Sequence, residues 1–534
     1  MTAPDPRMRW WGWGVDRDAT ALPDKAREML RQAFAVPDDP ASPVALEEVA
    51  LPDASLPEGA RARLAEIVGE GALRDDRLAR VAHALGKSYP DLVRIRSGDG
   101  SSAPDAVVYP GSHDEVAAVL ELCSAERIAV TPFGGGSSVV GGVEPRRDGM
   151  TAAVSLDLAR MDALVEADRV SLTATLEPGC TGPRVEDLLA AEGLTLGHFP
   201  QSWEYATLGG FVATRSAGRA STGYGRIDEL VLGVRLAAPT GTLHLPPIPA
   251  TAAGPGLRGL IVGSEGALGV ITQATLAVKP APATRVNEGW AFDSWVAGCE
   301  ALRAMEQAGD AADVCRLSDE TETALNSAAS GHEAPGPCLA VVGWEGDDRD
   351  VARRAARTRA HLERAGGRPL GEEAGERAGR NYYAGPYLRD ELLGMGVLVE
   401  TLETATTWSR LQGLYKGVGD ALRAALAARG TDALVMCHIS HLYRSGASLY
   451  FSFFAKQERG AELDQWHAAK AAACDAIIAN GGTITHHHAV GSDHAPWMDQ
   501  EVGELGVATL RGLKRELDPA GVMNPGKLLP RPPG

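Results

Sequence analysis

Several scarcities narrow the class of this chain before any motif is read. Its 534 residues include seven cysteines, Cys123, Cys180, Cys299, Cys315, Cys338, Cys437 and Cys474, with no CxxC pair and no closely spaced framework. That spacing argues against a disulfide scaffold and predicts reduced thiols in a cytoplasmic protein. No uninterrupted apolar run reaches about 18 residues, and the opening MTAPDPRMRWWGWG has no apolar stretch of signal-peptide length. No transmembrane segment is therefore expected, although transient contact with a membrane stays open. Basic charge is short as well: 52 Lys and Arg stand against 70 Asp and Glu, a formal net charge of −18. Such a balance argues against a nucleic-acid partner and against a broad basic face resting on anionic lipid, but leaves room for a small basic pocket.

What is present reads as a folded, multidomain protein, with 44% apolar and 23% charged residues. Residues 1–100 place apolar side chains at three- and four-residue spacing in DKAREMLRQAF, GARARLAEIV and DDRLARVAHALG, which predicts a helical N-terminal extension. Residues 101–282 turn to short β-rich runs between glycine loops, an α+β domain. Residues 283–515 alternate long alanine-rich helices with strands such as CLAVVGWEG and SLYFSFFA, a second α+β domain. Residues 516–534 form a proline-rich tail.

Ser112 and Glu115 have capping-box spacing, which predicts a helix from His113 to about Glu126, followed by a strand from Ile128 to Phe133. That strand runs into Gly134, Gly135, Gly136, Ser137 and Ser138, where missing Cβ atoms let backbone N–H groups approach an anion. The dinucleotide fingerprint of the Rossmann type fails, because Val139 stands where its third glycine belongs and a turn follows where its helix should begin. Two further clusters, HFPQSWEYATLGGFVATRSAG and GSEGALGVIT, also lie beside β segments. Three such loops suit an extended ligand held by backbone amides, and a dinucleotide has that length.

PFGGGSS, QSWEYAT, TRSA and SEGALGV together resemble the FAD-binding PCMH-type domain of the vanillyl-alcohol oxidase superfamily. The resemblance implies FAD held between two α+β subdomains, with an α+β cap domain of the FAD-linked-oxidase type. It places the cofactor on Pro132, Phe133, Gly134, Gly135, Gly136, Ser137 and Ser138, then on Gln201, Ser202, Trp203, Glu204, Tyr205, Ala206 and Thr207. It adds Thr214, Arg215, Ser216 and Ala217, and finally Ser264, Glu265, Gly266, Ala267, Leu268, Gly269 and Val270. The first loop lacks the histidine of covalent members, so the FAD is expected to be non-covalent.

RWWGWG, GRIDELVLG, ASLYFSF, THHHAVG and LDPAGVMNPGK narrow the resemblance to the alkyldihydroxyacetonephosphate synthase family of ether-lipid formation. The resemblance implies exchange of the acyl group of acyl-dihydroxyacetone phosphate for a fatty alcohol through a flavin N5 adduct, with no net electron transfer. It makes Tyr450, His486, His487, His488 and Arg316 catalytic and Arg389 substrate-binding, for a small or lipid-like substrate in a homodimer. Taken alone, Tyr450 reads as packing. It would serve as a base near neutral pH only if cations lowered its pKa. If the strand continued through the histidine run, His486 and His488 would share one face and His487 the other. The ending NPGK also resembles the D-lactate and glycolate dehydrogenases, which keeps oxidation of a D-2-hydroxyacid as the alternative. No metal is expected, although His438 and His441 could join the histidine run in a site.

Overall fold

The computed structural model of the chain describes residues 4, 7–18, 22, 24–36, 41–329, 333–380 and 382–530. A four-stranded sheet begins the N-terminal half of the chain, in the order Leu73–Arg74, Ala106–Val108, Ala152–Asp157 and Ile128–Phe133. Its last three strands are parallel, so helices must cover their faces and the strands read as continuous apolar runs. The crossover helix is His113–Glu126, as the capping signal predicts: the Ser112 side chain accepts from Glu115 N, and Arg127 ends the helix at φ 54°. Val116, Val119, Leu120 and Cys123 face the core, and full burial of a side chain such as Leu120 contributes roughly 1.5–3 kcal/mol.

An antiparallel five-stranded sheet forms the second subdomain, in the order Leu164–Asp168, Thr173–Leu176, Val270–Ala277, Val231–Ala238 and Gly241–Leu245. The cap is an eight-stranded sheet. Towards one edge its strands are Val314–Ser318, Ala433–Ile439, Gly446–Lys456 and, at the end of the order, Val397–Thr407, each paired antiparallel with the next. Helices Leu411–Ala427 and Glu462–Ala479 pack on one another beside this sheet, and its apolar face feeds the largest core. Among the described residues no helix is long and apolar enough to cross a membrane.

The two ends of the chain do not stand apart as an extension and a tail. Leu73–Arg74 pairs antiparallel with Val107–Val108, and helix Glu58–Val68 shares the first sheet's core. At the other end Met523 bridges Val130 of the glycine-loop strand and is fully buried. The first hundred residues also reach the cap: Leu30 and Phe34 share a core with Leu392 and Val397, and Tyr89 and Leu92 lie in the core of the cap sheet.

Candidate active site

The first glycine loop lies directly on the second cluster. A Cβ on Gly134 would sit 2.2 Å from Thr207 Oγ1, and one on Gly135 only 2.0 Å from the Tyr205 carbonyl oxygen. Gly136 adopts φ +66°, where a side chain is strained. No described residue accepts from the backbone N–H groups of Gly134, Gly135, Gly136, Ser137 or Ser138, which leaves five donors available to an anion. Lys87 N donates to the Ser138 carbonyl from behind, and His83, Lys87, Phe133 and Asp157 line a cavity against the loop. The third cluster is tied in through Glu265, whose carboxylate accepts from Val490 N at 2.8 Å and Gly491 N at 2.7 Å.

Across the cap sheet, register builds a row of polar side chains. Ser318 pairs with His438, His438 with Tyr450, and Tyr450 with Glu403, so the four share one face. Arg316, two residues before Ser318, joins that face, while Phe451, Cys437 and Leu402 point into the core. His438 stacks on Tyr450 with ring centroids 4.8 Å apart and 18° between planes. Glu322 Oε1 holds His438 Nδ1 at 3.0 Å and accepts from Arg316 Nη2 at 2.9 Å. Burial opposes ionisation of Glu322, but Arg316 and His438 outweigh it and keep the carboxyl well below its usual range. Arg316 nevertheless leaves 31% of its side chain accessible.

The histidine run closes over this row as a loop. The Glu403 carboxylate accepts from Thr485 Oγ1 at 2.9 Å and from the backbone N–H groups of His486 at 2.8 Å, His487 at 2.9 Å and His488 at 2.5 Å. Burial pushes Glu403 up, yet His488 and these donors hold it at about 2, so a fixed anion organises the loop. His487 stacks near Tyr450 at 6.0 Å and His488 meets it edge-on at 5.5 Å. Burial pulls the pKa of His438 and His488 down, and those of His486 and His487 well down, so all four rings favour the neutral state. His441 Nε2–H donates to the Gly218 carbonyl at 3.0 Å, which joins the row to the TRSAG segment of the N-terminal half.

This geometry can be set beside known proteins. Residues 104–245 match the family described as FAD binding domain, and residues 281–528 match FAD linked oxidases, C-terminal domain. An alkyldihydroxyacetonephosphate synthase of Dictyostelium discoideum is 31% identical, over 98% of this chain and 94% of that protein. One of Trypanosoma brucei brucei is 33% identical, over 88% of this chain and 80% of that protein. A solved alkyldihydroxyacetonephosphate synthase superposes with a TM-score of 0.83 at 28% identity, covering 97% of this chain and 98% of its own. The chain belongs to the alkyldihydroxyacetonephosphate synthase family. It is an FAD-dependent enzyme, and its residues fit that cofactor: the five unpartnered amides suit a pyrophosphate, and Ser264 Oγ, Trp203 Nε1 and Thr222 Oγ1 are buried without hydrogen-bond partners among the described residues.

Within this member of the synthase family the structure redistributes several expected roles. Arg215, exposed and at φ 53°, donates to the carbonyls of Val262 and Gly259. Ala267, Leu268 and Val270 are core residues, and Glu265 works through the backbone of Val490 and Gly491. Gln201 donates to the Tyr382 carbonyl, while Glu204 and Tyr205 meet Tyr387, so this stretch also locks the two halves together. The condition for Tyr450 to act as a base near neutral pH is not met: burial, with Glu403 and Glu400, raises its pKa to about 12 against the pulls of a Thr401 hydrogen bond and of Arg316. His486 to His488 form no strand, and their backbone amides turn to Glu403 instead. Arg389 hydrogen-bonds none of this group. It donates to the Lys87 carbonyl at 2.5 Å, its Nη2 lies 3.6 Å from Asp390 Oδ1 in an ion pair, and neither Nε nor Nη2 makes a hydrogen bond among the described residues.

His438 joins Glu322 and Arg316 rather than the other histidines. His441, His486 and His487 each bring a ring nitrogen within 4.8 Å of the others, a spacing a metal could use. Internal partners, however, occupy both nitrogens of His441 and of His486. Glu403, Glu322 and Tyr443 went unread in the sequence. Each had one weak signal, a polar residue in an otherwise apolar strand or beside a motif.

Proposed function

We propose that this enzyme makes alkyl-dihydroxyacetone phosphate, the product named for its relatives, by exchanging the acyloxy group of acyl-dihydroxyacetone phosphate for a fatty alcohol. One observation carries the reading: a neutral phenol, Tyr450, stands between the Arg316–Glu322–His438 group and the histidine loop, next to the FAD-binding segment. FAD, held non-covalently by the glycine loops, would supply an electron-pair acceptor for the exchange. The chain's own residues do the rest. Tyr450, protonated at neutral pH, donates to the departing carboxylate oxygen, and the resulting phenolate takes the proton of the incoming alcohol. One C–O bond breaks and one forms, the released fatty acid accounts for the alcohol's proton, and no electrons are gained or lost overall. Arg316 and Arg389, each with N–H groups to spare, hold the anionic headgroup, a task suited to guanidinium.

Anaerobic mixing tests this against the oxidative alternative. Acyl-dihydroxyacetone phosphate plus fatty alcohol should turn over and leave the flavin oxidised at the end, while D-lactate and D-2-hydroxyglutarate should leave it unbleached. Bleaching by either hydroxyacid, with no acyl exchange, would replace the proposal by oxidation.

A further inference from the structure

The GRIDELVLG segment contributes nothing to the reading above, yet it places a cation beside the first member of a hydrogen-bond chain that runs from Tyr443 into the histidine loop. Arg226, anchored through Nε to Asp228 Oδ1 at 3.0 Å and through Nη2 to the Arg215 carbonyl, lies against the Tyr443 phenol. The Tyr443 hydroxyl is 2.6 Å from His486 Nε2. His486 Nδ1 is 2.9 Å from His487 Nδ1. No described residue accepts from or donates to His487 Nε2.

Direction in such a chain is fixed by its end. A guanidinium has donors only, so beside Arg226 the Tyr443 oxygen presents a lone pair to the cation, an arrangement that favours its O–H turned away from Arg226 towards His486 Nε2, 2.6 Å off. His486 Nε2 then accepts, and a neutral imidazole that accepts at Nε2 carries its proton on Nδ1. That proton is donated to His487 Nδ1, which must be bare. We propose that Arg226 and Tyr443 are positioning residues that set His487 as the Nε2–H tautomer, so that beside Tyr450 it offers a hydrogen-bond donor to an oxygen atom and not a base to a C–H bond. Arg226 comes from the FAD-binding half and Tyr443 from the cap, so the tautomer is set only when the two halves are joined. A donor at this point suits the carbonyl or departing carboxylate oxygen of the substrate class proposed above, and the kinetic part of the inference rests on that reading.

The test is histidine-selective ¹⁵N NMR of the FAD-loaded enzyme, with the His487 signals assigned by their loss in His487→Gln. Wild type should show His487 with a protonated Nε2 and a bare Nδ1. Tyr443→Phe removes the O–H, and His487 should then become a mixture of tautomers, with kcat down about tenfold, KM unchanged and FAD content unchanged. Arg226→Gln, which keeps Tyr443, should give the same change in smaller degree and serves as the probe if Tyr443→Phe fails to fold. A wild-type His487 protonated on Nδ1, or a tautomer unmoved in both variants, would overturn the inference. If the tautomer behaves as stated while acyl exchange is absent, the inference stands and the proposed reaction fails.

Discussion

Tyr450→Phe removes one oxygen and keeps the ring that stacks on His438. FAD content and Tm should therefore barely move, while turnover falls by about 10² to 10⁴-fold, the usual contribution of positioned acid–base catalysis. Steady-state kinetics on acyl-dihydroxyacetone phosphate check this, and a variant that retained most of its activity would make Tyr450 a packing residue. The tyrosine and the histidine run were legible in the sequence because each sits in a short contiguous motif. Glu403 and Glu322 were not. Each reads locally as an ordinary charge, one in LVETLETATT and one in ETETALNSAA, and only the cross-strand register and the return of the loop after Ile484 give them their partners. The Tyr450 pKa is illegible locally for the same reason: neither its burial nor the two glutamates can be weighed against nearby cations before the strands are paired.

Elements whose signals are local came out within their predicted bounds. Ser112 and the apolar spacing define helix His113–Glu126, and the run Ile128–Phe133 is a strand followed by the glycine loop. Elements defined by distant pairing did not: the two-residue strand Leu73–Arg74 has no period to detect, and the histidine run is bent by a carboxylate on another strand. The glycine loop gives a prediction at this scale. Gly135→Val would drive a branched side chain into the Tyr205 backbone and open the loop from the second cluster. FAD affinity should fall by tenfold or more while the cap sheet, which does not touch this position, keeps its structure. Fluorescence titration of the apoprotein with FAD measures it, and unchanged affinity would show that the loop does not cradle the cofactor.

At the scale of the whole molecule, both chain ends act as stitches between the FAD-binding half and the cap. Near the start Arg7 reaches the Gly179 carbonyl, Trp13 packs edge-on against Tyr205, and Trp13 N donates to Asp390 of the cap. Gly12 and Gly14 are needed there, since a Cβ would strike Asp390 or Tyr387. This explains why RWWGWG, so far from Tyr450 in the chain, accompanies the site motifs. Near the end Asn524, itself at φ 38°, donates through Nδ2 to the carbonyls of Gly142 and Glu265, Lys527 reaches the Glu144 carbonyl, and Leu528 N reaches Gly491. One side chain thus ties the turn that follows the first glycine loop to the third loop. Asn524→Ala would leave two buried carbonyls without their donor and place a Cβ-bearing residue with no compensating hydrogen bond in the left-handed region, a loss of roughly 2–3 kcal/mol. Tm should drop by several degrees and FAD should dissociate faster, whereas Leu505→Ala, at an 81% exposed position, should change neither. Differential scanning fluorimetry with and without added FAD reads both effects, and an Asn524→Ala profile superimposable on that of Leu505→Ala would mean the C-terminal segment covers the FAD-binding half without holding its loops in place.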